Sequence, residues 1–349
     1  TRLANEGRIK FPQDALQYHF IDGTLYGDSV EHLIRQQLTI KESEPIAWVE
    51  PSTYVESLHP DNKPKDKIAV LYAYGEIHDG EGKDGIYAKN YTRLIRKLAK
   101  DEKVKAVVLR INSPGGSALA SEIMYHELAA LKAKKPVVIS MGNYAASGGY
   151  YLSCAGDSIL AEPNTITGSI GVVGVMFNVD AMMKNKLGVT FDRITTGPFA
   201  DFTSLTRPMS DLERDWIQHY LDSTYNLFKS RVAVARHMRV DEVEELAQGH
   251  VYSGTLGQQL RLVDRMGNID DAIACASRMA HLSSYRLQEY PESSSWLDEL
   301  MESFSGQKKE EAAIRKVLGD QYDVYQEIQR LRQRENRIEM ILPYKLDIR

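Results

Sequence analysis

A serine set among alanines and glycines is the residue of this chain best placed to do chemistry. It stands at position 147 in Met141-Gly142-Asn143-Tyr144-Ala145-Ala146-Ser147-Gly148-Gly149-Tyr150, just after an apolar run and at the start of a short helical pattern. Small neighbours let a substrate backbone approach the hydroxyl closely. Backbone N–H groups at a helix start have no intrahelical acceptor and can hold a developing oxyanion. Taken alone, the same residues are explained at least as well by tight packing of a helix on a sheet.

Two further segments carry related signals. Asn112-Ser113-Pro114-Gly115-Gly116-Ser117 follows an apolar run, and consecutive glycines there can turn N–H groups toward a ligand at a strand's carboxyl end. An ordinary strand-to-helix turn capped by Ser117 is the plainer reading of that segment by itself. Pro163-Asn164-Thr165-Ile166-Thr167-Gly168-Ser169-Ile170-Gly171 offers hydroxyls that can orient a base or merely satisfy a turn. Three such segments at one sheet edge say more than any of them alone.

No G-x-S-x-G elbow surrounds Ser147, and none of the nine histidines falls within the three segments, which disfavours a Ser–His–Asp triad. A lysine whose pKa is lowered by burial can activate a serine instead, because the neutral amine accepts the proton. Lys184 and Lys186, just before Gly188, read as the solvated end of a short helix rather than as that base. Cys154 and Cys275 lack a further cysteine or histidine at ligand spacing, so no metal site is expected, and they read as buried apolar residues that can also form one bridge.

The elements that must position these residues alternate. Apolar runs at 68–74, 104–112, 136–141 and 158–161 read as buried strands. Tyr91, Leu94, Ile95 and Leu98 form a helical stripe, as do Ile123, Met124, Leu128 and Leu131, expected to point inward from a helix over 118–134. A short helix is expected over 147–155. Alternation of this kind implies parallel strands joined by right-handed crossovers. Ser210 and Glu213 form a capping box that opens a long helix with Leu212, Trp216, Tyr220 and Leu227 on one face, and a second helix runs from about Asp241 to Gly249. Residues 39–66, with four of the twelve prolines, read as a connector. The tail from Ser293 is polar, with a helical pattern near 310–334.

Phe20-Ile21-Asp22-Gly23, followed by Gly27-Asp28 and Val30, has nearly the shape of Leu262-Val263-Asp264-Arg265, followed by Gly267, Asp270-Asp271 and Ile273. Coincidence between two helix-entry segments explains this as well as a duplication does. On the second reading residues 1–38 end an earlier copy of the same domain.

Composition narrows the classes. The chain has 349 residues, 43% of them hydrophobic and 26% charged, which is ample for a large core and argues against disorder, collagen or a disulfide scaffold. A net charge of −5 with no basic face argues against nucleic acid as a partner. No apolar run reaches the length of a membrane-spanning helix. The start, Thr1-Arg2-Leu3, shows neither an initiator Met nor a signal-peptide pattern, so the natural N-terminus is expected to lie upstream.

SPGGS, MGNYAASGGYYLS, EPNTITGSIGVVG, AQGHVYSG and LVDRMGNIDDAI, in this order over roughly residues 66–282, resemble the signal peptide peptidase A family, serine peptidases of the ClpP/crotonase-like superfold. The resemblance implies an α/β fold of repeated β-β-α units with a helical C-terminal extension. Its expected organisation is the end of a preceding repeat (1–38), a connector (39–66), a peptidase domain (67–282) and a charged extension (283–349). It implies Ser147 as nucleophile, the N–H groups of Gly116 and Gly148 as oxyanion donors, and Ser169 as the residue that orients a lysine. Short members carry that lysine in the stretch matching Thr196-Gly197-Pro198-Phe199-Ala200-Asp201, where Ala200 cannot accept a proton. Long, duplicated members split the dyad, with the lysine in the first half. The chain therefore resembles the second half of a long member whose base lies elsewhere, and is expected to be inactive alone. The activity implied is hydrolysis of cleaved signal peptides and other unfolded segments without a cofactor. Tyr150, Tyr151 and residues 172–175 are candidates for an apolar groove. The partners implied are peptide substrates and a homo-oligomeric ring completed by the N-terminal half. The location implied is the extracytoplasmic side of a bacterial inner membrane. The alternatives are a crotonase-like acyl-CoA enzyme, which would not need Ser147, and a non-catalytic assembly half.

Overall fold

A computed structural model describes residues 3, 7–51, 53–54, 64–291 and 338–341. The chain divides into two units, Thr1–Lys63 and Pro64–Arg349. In the first, α1 (Pro12–Gln17) and α2 (Gly27–Leu38) bury none of their residues. A chain segment of this size gains little from a core of its own.

The second unit is built on β1 (Lys67–Tyr74), β4 (Val104–Ser113) and β6 (Val137–Ala146), which pair in parallel with β1 beside β4 and β4 beside β6. Alternate residues along β1 enter opposite layers, as a pleated strand requires. Ala69, Leu71 and Ala73 pack with Leu109, Ile111, Ile139 and Met141 and with the buried stripes of α3 (Ala88–Lys100) and α4 (Ala118–Lys132). Ile68 and Val70 pack on the other face with Ala106, Val108, Val138 and Leu160 against α9 (Ile269–Met279). Helices on both faces explain why these strands are continuously apolar rather than alternating. Each fully buried aliphatic side chain contributes roughly 1.5–3 kcal/mol. Met124, Leu128 and Leu131 of α4 point inward as expected, but Ile123 is exposed, because the next helical position is turned about 100° away from Met124.

β6 branches the sheet. Its first half pairs with β7 (Ser158–Ala161) and its last residues pair with β8 (Ile166–Gly168). β10 (Val251–Ser253) adds antiparallel to β8, and β11 (Arg265–Met266) adds to β7. At the far edge β12 (Arg286–Tyr290) pairs in parallel with β1, so this part of the stretch read as C-terminal extension belongs to the central sheet. The helical pattern near 310–334 lies outside the described residues.

A smaller second sheet runs β3 (Ile86–Tyr87), β2 (Ile77–His78), β5 (Gly115–Ser117), β13 (Ile338–Ile341) and β9 (Val173–Gly174). The capping box at Ser210 opens α6 (Asp211–Arg236), with the Ser210 hydroxyl accepting from the Glu213 N–H at 3.3 Å. The stripe of Leu212, Trp216, Tyr220 and Leu227 is exposed, while Ile217, Phe228 and Val232 face the core. Glu213 is buried on the inner side because the Arg207 guanidinium neutralises it there, through Nη1 donating to Oε2 at 2.7 Å. α7 (Val240–Leu246) and α8 (Gly254–Gln259) complete the unit, and Gly249 takes a left-handed conformation beyond α7 at φ +77°.

Candidate active site

Ser147 is the single residue between the end of β6 and the start of α5 (Gly148–Ser153). The turn from strand to helix forces φ +52° and ψ −116°, a conformation that glycine adopts freely and serine only under strain. Neighbours hold it there. The Ser147 N–H donates to the Gly168 carbonyl at 2.9 Å, and its own carbonyl accepts from the Tyr151 N–H at 2.8 Å. Its side chain is fully buried, and Oγ has no hydrogen-bond partner among the described residues. A buried hydroxyl without a partner forgoes the bonds it made in water.

The glycines around it are required by space. A Cβ on Gly148 would stand 2.7 Å from Ser121 Oγ and 3.1 Å from Ile77 Cδ1, and one on Gly149 would stand 2.9 Å from the Ser113 carbonyl oxygen. Close helix-to-sheet packing therefore accounts for these residues, and it also brings α5 against the Gly115-Gly116 loop.

That loop follows an irregularity in β4. Register is lost between Ile111 and Ser113, and the displaced Asn112 accepts the Tyr144 N–H on Oδ1 at 3.2 Å. Ser113 Oγ accepts the Gly115 N–H at 3.2 Å. Ser117 caps α4 by accepting the Ala120 N–H at 3.2 Å and donates to Asp79 Oδ1 at 2.7 Å, so the turn reading of this segment also holds. Gly116 lies against the backbone of Ile77, whose carbonyl oxygen would be 2.1 Å from a Cβ there.

The third segment is locked to β6 by its hydroxyls. Thr165 donates to the Gly142 carbonyl at 2.7 Å and Thr167 to the Ala145 carbonyl at 2.9 Å. The pairing of Ala146 with Gly168 sets Ser169 beside Ser147. Ser169 is buried at φ +48°, and its N–H donates to the His250 carbonyl at 2.7 Å. Gly115 and Gly116 of β5, Ser147 and Gly148 at the start of α5, and Ser169 just after β8 are thus brought together from three separate segments.

Other expected residues fall elsewhere. Tyr150 and Tyr151 are core residues and line no groove: Tyr150 donates to the Leu262 carbonyl at 2.9 Å, and Tyr151 packs edge-on against Tyr125 and Phe228. Burial raises both phenol pKa values well above their ordinary range. Lys184 and Lys186 sit exposed on a π-helical turn, Met183–Leu187, and Ala200 is exposed on a loop. Cys154 and Cys275 are buried free thiols. Among the described residues no helix is long and apolar enough to cross a membrane.

One neighbour of the site was not foreseen. Strand β13 runs antiparallel to β5, with Met340 opposite Gly116 and Glu339 opposite Ser117. The Met340 carbonyl oxygen would be 1.9 Å from a Cβ on Gly115 and 3.1 Å from one on Gly148. The sequence signal was faint: the apolar residues Ile338, Met340 and Ile341 in a charged tail.

The model of peptidase family S49 matches residues 129–283, and that of Clp protease matches residues 62–166. A protein of Enterococcus faecium, provisionally named signal peptide peptidase SppA, is 34% identical over 254 residues, covering 69% of this chain and 73% of that protein. The chain belongs to peptidase family S49. Its parallel sheet with helices on both faces is of the ClpP-like α/β class, as expected from the resemblance. Protease 4 of Salmonella typhi is 38% identical over 294 residues, which is 84% of this S49 chain but 47% of the Salmonella protein. The chain thus spans about half the length of that relative. Among solved structures, a ClpP1 mutant from Listeria monocytogenes aligns over 58% of this chain and 94% of its own, with 13% identity and a TM-score of 0.40.

Proposed function

We propose that the chain carries the nucleophile of a serine endopeptidase of Ser/Lys type, acting on extended, unfolded segments such as cleaved signal peptides. Ser147 Oγ attacks the scissile carbonyl carbon while its proton passes to the neutral amine of a lysine. The N–H groups of Gly116 and Gly148 hold the resulting oxyanion, with Gly115 supporting the loop that presents them. Collapse of the tetrahedral intermediate breaks the C–N bond. The departing amine takes the proton back from the lysine, and water then hydrolyses the acyl-enzyme with the same groups in reversed roles. Ser169 orients the lysine from its place beside Ser147.

The observation that carries this reading is the Ser147 hydroxyl itself, strained, buried and unbonded, at the meeting point of the glycine loop and α5. Strain at a non-glycine residue persists where its surroundings over-determine it, as they do at sites of chemistry. An Oγ without a partner among the described residues, together with Ala200, fits a lysine supplied by a preceding half of the protein. A structural echo points the same way: α2 opens five residues after Asp22, as α9 opens five residues after Asp264. On this reading the whole protein forms a homo-oligomeric ring on the extracytoplasmic face of a bacterial inner membrane, and the present chain alone does not turn over.

Labelling with a serine-reactive phosphonate tests the assignment. Full-length protein carrying both halves should be labelled at Ser147, and Ser147→Ala should lose both the label and peptide hydrolysis. Label or hydrolysis retained in that variant ends the reading.

A further inference from the structure

Gly115 at φ +102° and Gly116 at φ +150° take backbone angles that glycine enters and leaves freely. A donor for a developing oxyanion must nevertheless be in place before the charge forms. The orientation of the Gly116 N–H is therefore imposed by what holds the residues on either side. Upstream, Ser113 Oγ accepts the Gly115 N–H at 3.2 Å. Downstream, Ser117 is held at three points. Its hydroxyl donates to Asp79 Oδ1 at 2.7 Å and accepts the Ala120 N–H at 3.2 Å, and its carbonyl accepts the buried Ser121 hydroxyl at 2.8 Å. Of these three holds, only Asp79 reaches in from another element. It directly follows β2, which pairs in parallel with β5 through Ile77 and Gly116. The turn that carries it is pinned in its own right: the Gly80 carbonyl accepts the Lys89 N–H at 3.0 Å, and the Gly82 carbonyl accepts from Asn90 Nδ2 at 2.7 Å. The first turn of α4 has no acidic residue of its own, so the carboxylate from β2 stands where the free N–H groups of that helix favour negative charge.

We infer that Asp79 is a positioning residue of the peptidase: acting through Ser117 and without touching substrate, it holds the Gly116 N–H where the oxyanion of the tetrahedral intermediate forms. The catalytic use rests on the proposed peptidase function; the hold on the loop stands on the geometry alone. A hydroxyl-to-carboxylate bond is stronger than one between neutral groups, which suits it to fixing a soft glycine pair. The plainer role of Ser117, capping α4, is served by the Ala120 bond, and on that reading loss of Asp79 changes stability and nothing else.

Two measurements separate the hold from its catalytic use. Amide hydrogen exchange in the present chain requires no catalysis. Asp79→Ala should speed exchange over residues 115–118 at least about tenfold and leave residues 104–111 of β4 as in the parent. Unchanged exchange over 115–118, or an equal rise in β4, overturns the inference. Peptide hydrolysis is followed in full-length protein carrying both halves. There Asp79→Ala should lower kcat at least about tenfold with KM within about twofold, short of the roughly hundred- to thousandfold loss when a donor is removed outright. Asp79→Asn keeps Oδ1 as an acceptor and should recover kcat to within about threefold of the parent. Ser117→Ala breaks the same bond from the other side and replaces Asp79→Ala in both measurements if that variant does not melt cooperatively. Combined with Asp79→Ala it should add less than about twofold, because the two share one interaction. Glu81→Ala, on the same turn but paired with exposed Lys89 and Arg93, should leave kcat and KM unchanged. An unchanged kcat in Asp79→Ala, or a loss that Asp79→Asn does not recover, overturns the inference. Absence of Ser147 labelling in the parent ends the peptidase reading and with it the catalytic use of Asp79, while the exchange result still reports whether Asp79 holds the loop.

Discussion

Removing the Ser147 hydroxyl should make the protein more stable. Two local costs meet at this residue. A non-glycine backbone at φ +52° and ψ −116° costs about 1–3 kcal/mol, and a buried hydroxyl without a partner costs roughly another 1–3 kcal/mol. Ser147→Ala removes the second cost and keeps the first, and the space it leaves is that of one oxygen atom. A gain of about 1 kcal/mol is expected, the low end of that range. Ser147→Gly removes both costs, against about 0.5–1 kcal/mol of added backbone entropy in the unfolded chain, so it should be at least as stable as Ser147→Ala. In urea unfolding followed by far-UV circular dichroism, 1 kcal/mol moves the midpoint up by about 0.3 M for a slope of roughly 3 kcal/mol per M. A midpoint that falls by as much in Ser147→Ala would show that Oγ had been bonded. Ser147→Gly less stable than the parent would show that the backbone there was not strained. Such a trade of stability for reactivity is common where a side chain is held ready for chemistry.

Three further outcomes are expected. Gly115→Ala puts a Cβ 1.9 Å from the Met340 carbonyl oxygen at a residue with φ +102°, so it should lower the urea midpoint. Gly174→Ala, whose nearest contact would be Leu221 at 3.6 Å, should not. The Glu213 carboxyl is held down to about 2, chiefly by the Arg207 guanidinium, and Asp201 is held down to about 2 by the same group. Because the folded pKa values lie below the unfolded ones, this stabilisation is complete above about pH 4.5 and is lost as pH falls toward 2. Glu213→Gln should flatten part of the fall in urea midpoint across that window. Burial pushes the Cys154 thiol up to about 12. It should resist a thiol reagent at pH 8 until urea unfolds the chain, and modification of the native protein at Cys154 would contradict the packing described.

Local regularities were legible in the sequence because they depend on near neighbours. The apolar runs that became β1, β4, β6 and β7, the stripe of Tyr91, Ile95 and Leu98, the capping box at Ser210 and the glycine-flanked serine all follow from spacing within a turn or a strand. They were enough to give the α/β class and to single out Ser147. β6 runs five residues beyond the apolar run that ends at Met141: Gly142-Asn143-Tyr144-Ala145-Ala146 has the small-residue composition of a loop, and pairing with β8 holds it extended. The stripe on α6 was legible as a stripe, yet which face a helix buries is set by what packs on it, and Arg207 drew Glu213 inward instead. Tyr150 and Tyr151 stand beside the motif in sequence and belong to the core in space, since the short helix α5 is buried on every side. Tertiary structure alone decided three things: the strain at Ser147, the absence of a partner for its hydroxyl among the described residues, and the seat of Met340 against Gly115 and Gly148. Each is a relation between atoms distant along the chain. Composition and periodicity carry no record of such relations, which exist only once the strands have paired.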